Sequence, residues 1–173
     1  MTKSALAAKR RQQPDRDRKL QEAHRQWEVG KLTSAFRLFL AVAKTGDESA
    51  QLNLGNFYSE GIGVKPNPAK ALYWYRRAYR RGYGCAASNI GVLFRDQGRL
   101  KQSLAWFERA VRLGDGDANL EIAKIYLRRN ERAKATQYLK QALRVKQDDI
   151  TEGSREEAQH LLTQLGTQRR TRE

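Results

Sequence analysis

An all-α solenoid is the fold class this chain predicts, and three observations carry the prediction. A block of residues recurs along the chain at shifts of 32 and 36 positions. Within each block the apolar residues fall at helical spacing, and the breaks between blocks hold Gly, Asn or Pro where a helix must end or begin. "KALYWYRRAYRRG" (Lys70–Gly82) shifted forward by 32 lands on "QSLAWFERAVRLG" (Gln102–Gly114). That shift places Trp74 on Trp106, Tyr75 on Phe107, Ala78 on Ala110 and Gly82 on Gly114. A further 32 reaches Tyr138, Leu139 and Ala142; a shift back of 36 aligns Ala35, Phe39, Val42 and Gly46 with Ala71, Tyr75, Ala78 and Gly82.

Each unit reads as helix A, a turn, helix B and a second turn. Helices A are placed near 16–28, 48–60, 84–97 and 116–128, and helices B near 32–45, 68–81, 100–113 and 132–146. In the last three helices A, four columns recur: Ala50, Ala86 and Ala118; Leu54, Ile90 and Ile122; Gly55, Gly91 and Ala123; Tyr58, Phe94 and Tyr126. Their separations of four, one and three residues put them on one helix face. A small residue beside a large one lets two helices approach closely.

The A-to-B turns are Gly30-Lys31, Gly61 to Pro68, Gly98-Arg99 and Asn130-Glu131. Gly and Asn suit the left-handed residue that ends a helix, and Pro68 suits a helix start. The Gly61 to Pro68 turn is a longer connection between repeats. A phosphate-binding loop would need a strand before it and Gly-Lys-Ser/Thr after it, and neither is present. Further on, Ser154 with Glu157 reads as a capping box, and Ala158, Leu161, Leu162 and Leu165 form the stripe of a capping helix over 154–166. Residues 1–15 and 167–173 read as disordered basic tails flanking a repeat domain at 16–166.

The second unit, "AQLNLGNFYSEGIGVKPNPAKALYWYRRAYRRG", resembles a Sel1-like repeat. Leu54, Gly55, Tyr58, Gly61, Gly63, Val64, Lys70, Ala71, Trp74, Tyr75, Ala78 and Gly82 carry the resemblance, with Asn67 where the family usually has Asp. The other units lack the Gly-x-Gly turn and are similar to the related tetratricopeptide repeat. The resemblance implies helices A lining a concave groove, helices B on the outer face, and a scaffold rather than an enzyme.

Composition excludes several classes. Cys85 is the one cysteine, so no intramolecular disulfide is possible, and an inert thiol is the expectation for it. His24 and His160 lie at opposite ends of the repeat array, and no zinc-ligand spacing exists, so no catalytic residue, metal or cofactor is expected. Asp115, Asp117, Asp148 and Asp149 sit in inter-unit turns, where Asp caps helices. Trp27, Trp74 and Trp106 follow the helix stripe and are expected in the core. No run approaches the ~20 apolar residues of a membrane span, and a cytoplasmic monomer is the expectation. The net charge is +15, with seven Lys/Arg against two Asp in residues 1–19 and three against one Glu in 167–173. Such a balance favours acidic partners or simply solubility.

Two surfaces remain as candidates. The groove side of helices A gives Leu52, Asn53 and Asn56, then Ser88, Asn89, Val92 and Arg95, then Glu121, Lys124 and Arg128. Asn56 and Asn89 match asparagines of tetratricopeptide clamps for C-terminal carboxylates. Glu121 stands where such a clamp wants a cation, which argues against that activity. On helices B, Lys44, Arg80, Arg112 and Arg144 fall in one column, with Arg77 and Arg109 beside it, as a basic ridge partly balanced by Glu108 and Glu131. No exposed aromatic is expected among these cations. The expected function is a non-enzymatic module that binds a protein partner, acidic or mixed, in the groove. A bacterial-type adaptor and an immunity-type inhibitor of a toxin are its two versions. A nucleic-acid-associated protein using the ridge and tails is the rival of another class.

Overall fold

A computed structural model describes residues 3–170 of the chain. They form α1 (Lys3–Glu28), α2 (Leu32–Lys44), α3 (Glu48–Glu60), α4 (Pro68–Tyr79), α5 (Gly84–Asp96), α6 (Leu100–Arg112), α7 (Asp117–Arg128), α8 (Arg132–Arg144) and α9 (Glu152–Arg170). A 3-10 turn at Gln147–Asp149 precedes α9, and no strand occurs among the described residues. This is the all-α solenoid of helix-turn-helix repeats that the register predicts. α1 starts at Lys3, ahead of the boundary at residue 16 that composition suggests. Ala, Leu, Arg, Lys and Gln fill positions 5–13, and these are strong helix formers. α9 likewise continues through Arg170, and the rest of the expected C-terminal tail lies outside the described residues.

Turn chemistry sets the helix ends. Gly30, Gly61, Gly98 and Asn130, the four A-to-B turn residues, all take the left-handed conformation, with φ of 75°, 75°, 72° and 58°. Asp47 caps α3 by accepting from the Ala50 amide at 2.9 Å, and Asn67 caps α4 by accepting from Lys70 at 2.9 Å. At α9 the expected capping box is displaced by three residues. Thr151, not Ser154, precedes the helix, and its Oγ1 accepts from the Ser154 amide at 3.3 Å. The Thr hydroxyl reaches that donor because Asp117 already holds the Thr151 amide and hydroxyl, each at 3.0 Å.

The helices cluster into two compact units that meet in sequence at Arg81 and Gly82. In the first, α1 packs on α2, α2 on α3 and α3 on α4 around Phe39, Leu54, Phe57 and Trp74. Trp27 lies edge-on to Phe39 and Phe57, as a core tryptophan should. In the second, α5 to α8 pack in the same sequential way, and α9 covers α7 and α8 through Ala158, Leu161, Leu162 and Leu165. Small-to-large contact is literal here. A Cβ added at Gly55 would stand 2.2 Å from the Tyr75 ring, and one at Gly91 would stand 2.8 Å from Phe107. Those glycines let helix B lay an aromatic ring on the backbone of helix A.

Candidate functional site

In the first unit, the predicted groove residues Leu52, Asn53 and Asn56 are half-buried on one face of α3. Asn56 has a structural duty as well: its Oδ1 accepts from the Tyr75 hydroxyl at 2.7 Å. Burial pushes that phenol well above the usual tyrosine range, so it stays a neutral donor.

The second unit organises its charges into a ladder across three helices. Arg95 on α5 pairs with Glu121 on α7. Glu121 also meets Lys124 at 3.3 Å, and Lys124 reaches Glu157 of α9 at 2.7 Å. The side chains of Arg95, Glu121 and Lys124 are only 25%, 22% and 29% exposed, so screening by water is reduced. Partial burial pulls the Lys124 ammonium down, but the bonds from Glu157 and Glu121 outweigh it and hold the group above its ordinary value. Glu121, which stands where a carboxylate clamp wants a cation, is the anion between two cations. Ser88 donates to Asp115 at 2.7 Å, Asn89 and Val92 are half-buried beside it on α5, and Arg128 is exposed at the end of α7. Ser88, Asn89, Val92 and Arg95 share one face of α5, and the ion pairs carry that face through α7 to α9.

The ridge is less uniform than its column suggests. Lys44 and Arg80 in the first unit, and Arg112 and Arg144 in the second, are exposed. Arg77 and Arg109 are half-buried, with guanidinium groups 5.6 Å from Trp74 and 4.6 Å from Trp106. Glu131 balances Lys134 at 2.6 Å and Arg129 at 3.6 Å, not the ridge, because the first turn of α8 is nearer. The expectation that no exposed aromatic lies among these arginines fails at Tyr73, which is 53% exposed. Register hid it: the same column in the next unit holds Ala105.

Another device escaped sequence reading. Lys70 lies over Tyr58 at 5.2 Å, Arg99 over Phe94 at 4.6 Å and Lys134 over Tyr126 at 5.1 Å. These three hairpins thus each place a cation of the turn or the first turn of helix B on the helix A aromatic. The signal was present, since Lys70 and Lys134 stand two periods of 32 apart, but no pairing rule links them to a residue so far back in the chain.

Cys85 is exposed, and partial burial of its thiol with nearby Asp115 pushes the pKa up, away from nucleophilic reactivity. Asp117 and Asp149 tie the start of α7 to the segment before α9: Asp117 accepts from Thr151 at 3.0 Å, and the Gly116 amide donates to the Asp149 carbonyl at 2.7 Å. Among the described residues no group of three or more His, Cys, Asp or Glu is placed to hold a metal ion. No helix among them is long and apolar enough to cross a membrane.

Residues 48–83 match the Sel1 repeat, and residues 86–114 and 116–149 each match a tetratricopeptide repeat. The chain carries one Sel1 repeat followed by two tetratricopeptide repeats. It is 34% identical over 62 residues to a Sel1-like repeat-containing protein of Acanthamoeba polyphaga mimivirus, covering 36% of this chain and 12% of that one. A protective antigen of uropathogenic Escherichia coli with an SLR fold is 27% identical, with a TM-score of 0.56 over 64% of this chain and 25% of the antigen. A Sel1 repeat protein from Oxalobacter formigenes superposes with a TM-score of 0.67 at 22% identity, covering 85% of this chain and 62% of that one. The chain thus spans a minor part of the first two relatives and shares the fold of the third. Sel1 and tetratricopeptide repeats mark a scaffold for protein–protein interaction.

Proposed function

We propose that the chain binds a protein partner on the groove side of its helices A, as a cytoplasmic adaptor without catalytic activity of its own. The ladder Arg95–Glu121–Lys124–Glu157 is the observation that carries this reading. Its alternating signs give directional groups without a net field, and its mutual bonds fix long side chains before any partner arrives. Prior fixing lowers the ordering cost of association, which runs at roughly 0.5–1.5 kcal/mol per immobilised side chain. Val92 and Leu52 add apolar contact on the same sides of α5 and α3.

Capture from the source organism at high salt tests the reading, comparing wild type with Val92→Glu and with Lys44→Ala/Arg80→Ala/Arg112→Ala. Val92→Glu is expected to abolish capture, because a buried unpaired charge at an interface costs several kcal/mol, while the triple variant keeps it. Loss of the partner in the triple variant alone would move binding to the ridge. An immunity-type version of the same reading makes the partner an effector whose activity stops in the complex. The adaptor version leaves the partner active.

A further inference from the structure

Helix α4 presents a surface that neither the core nor the helix A face uses. Residues 61–95 contain no Asp or Glu, whereas α4 and the two residues after it hold Lys70, Arg76, Arg77, Arg80 and Arg81. At about 100° per residue, Tyr73, Arg76, Arg77 and Arg80 fall within an arc of roughly 100°. Buried Ala71, Trp74, Tyr75 and Ala78 occupy an arc of about the same width on the opposite side. Arg81 extends the patch, since its Nη2 lies 3.2 Å from the place a Cβ on Gly46 would take. That contact sets the end of α4 against the turn that follows Lys44. Among the described residues, the ion pairs of this unit all involve α1, and none draws on Arg76, Arg80, Arg81 or Lys44.

Tyr73 distinguishes this patch from an ordinary solvated basic face. Its ring is 53% exposed yet held in place: Trp74 meets it edge-on at 5.0 Å, and Arg77 donates to its hydroxyl at 3.0 Å. Arginine forks suit both carboxylates and phosphates, so the cations alone do not choose a ligand. The braced aromatic does. An acidic peptide offers it nothing flat, and in a duplex the base faces are already stacked on one another. A single strand supplies an unstacked base for the ring and a row of phosphates for the arginines. We propose that the outer face of α4 binds single-stranded nucleic acid, with a base stacked on Tyr73 and phosphates held by Arg76 and Arg80. This surface lies on a helix B, so it stands or falls independently of partner binding on helices A.

Fluorescence anisotropy with labelled oligothymidylate and oligouridylate, titrated at low and moderate salt, tests it on the full chain. Tyr73→Ala is expected to weaken binding by roughly 5- to 100-fold, the worth of one base–aromatic stack. Tyr73→Phe keeps the ring and is expected to retain most of the affinity. Arg76→Ala/Arg80→Ala is expected to reduce the slope of log affinity against log salt by about 1.4, at ~0.7 per phosphate on a single strand. The three substituted side chains, Tyr73, Arg76 and Arg80, are exposed, and unchanged circular dichroism of the variants checks that the helix persists. Absence of oligonucleotide binding at low salt overturns the proposal. So does polyglutamate displacing the strands equally well with Tyr73→Ala unaffected, which would assign the face to an acidic protein. Duplex DNA binding as tightly as the single strands would remove the role of the stacked base and overturn it too.

Discussion

Gly55→Ala isolates the contact on which the repeat depends. On helix propensity alone the change should help, since Ala exceeds Gly by about 1 kcal/mol in a helix interior. The structure reverses that sign. The added Cβ would stand 2.2 Å from both Cδ1 and Cε1 of Tyr75, far inside any tolerated contact. The ring has nowhere to go, because it is 2% exposed and its hydroxyl is bonded to Asn56 at 2.7 Å. Overpacking costs ~1–3 kcal/mol, and an approach as close as 2.2 Å belongs at the upper end, so against the propensity gain a net loss of about 2 kcal/mol is expected in urea melts. Gly91→Ala, where the same atom would stand 2.8 Å from Phe107, should lose less. The fourth unit supplies the compensation: Ala123 replaces the glycine where Leu139 replaces the ring, and both are fully buried. Gly55→Ala/Tyr75→Leu should therefore be more stable than the sum of its single changes. A neutral or stabilising Gly55→Ala, or strict additivity in the pair, would refute the ring-on-backbone account.

Phe107 is fully buried, and Phe107→Ala should cost ~3–5 kcal/mol in urea melts, whereas exposed Arg112→Ala should cost under ~0.5 kcal/mol; the reverse ranking would invert the inside and outside of helix α6. Asp115 has a pKa raised by burial, with Asp117 adding to the rise against the bond from Ser88, so its charged form is penalised in the folded state at neutral pH. That penalty is relieved as pH falls through the raised folded value toward 3.8, where the native state holds a proton that the unfolded chain lacks. Asp115→Asn should then stabilise at pH 7, with an advantage that shrinks on acidification in thermal melts; an advantage that grows on acidification would contradict the sign.

The repeat made the fold legible because one small set of contacts is written several times. Gly55 against Tyr75 and Gly91 against Phe107 leave the same mark in two registers, and the left-handed turn residues repeat with them. The surfaces were legible only as positions. A column places Arg95 and Glu121 on helix faces, but their pairing depends on how α6, packed on both α5 and α7, sets those two helices side by side, which no local spacing encodes. The same holds for Lys124 with Glu157, contributed by a capping helix outside the repeat. Tyr73 was missed for the opposite reason. It departs from its column, and recurrence leaves no mark of a residue that does not recur.

The excess charge is consequently not spread evenly. Residues 1–81 hold seventeen Lys/Arg against seven Asp/Glu, and residues 82–173 hold seventeen against twelve. The additional acids of the second half have identified partners: Glu121 and Glu157 in the ladder, Glu131 with Lys134, Asp115 with Ser88, Asp117 with Thr151. Its helix A face is therefore locally balanced and suited to a partner recognised by direction rather than by field. In the first half α4 lacks acids altogether, and its arginines meet only aromatics and solvent. Charge there supplies long-range attraction that salt suppresses, and Tyr73 supplies the short-range contact that salt leaves intact. On the two proposals above, one balanced and one basic surface would let a protein and a polyanion be held without competing for the same residues.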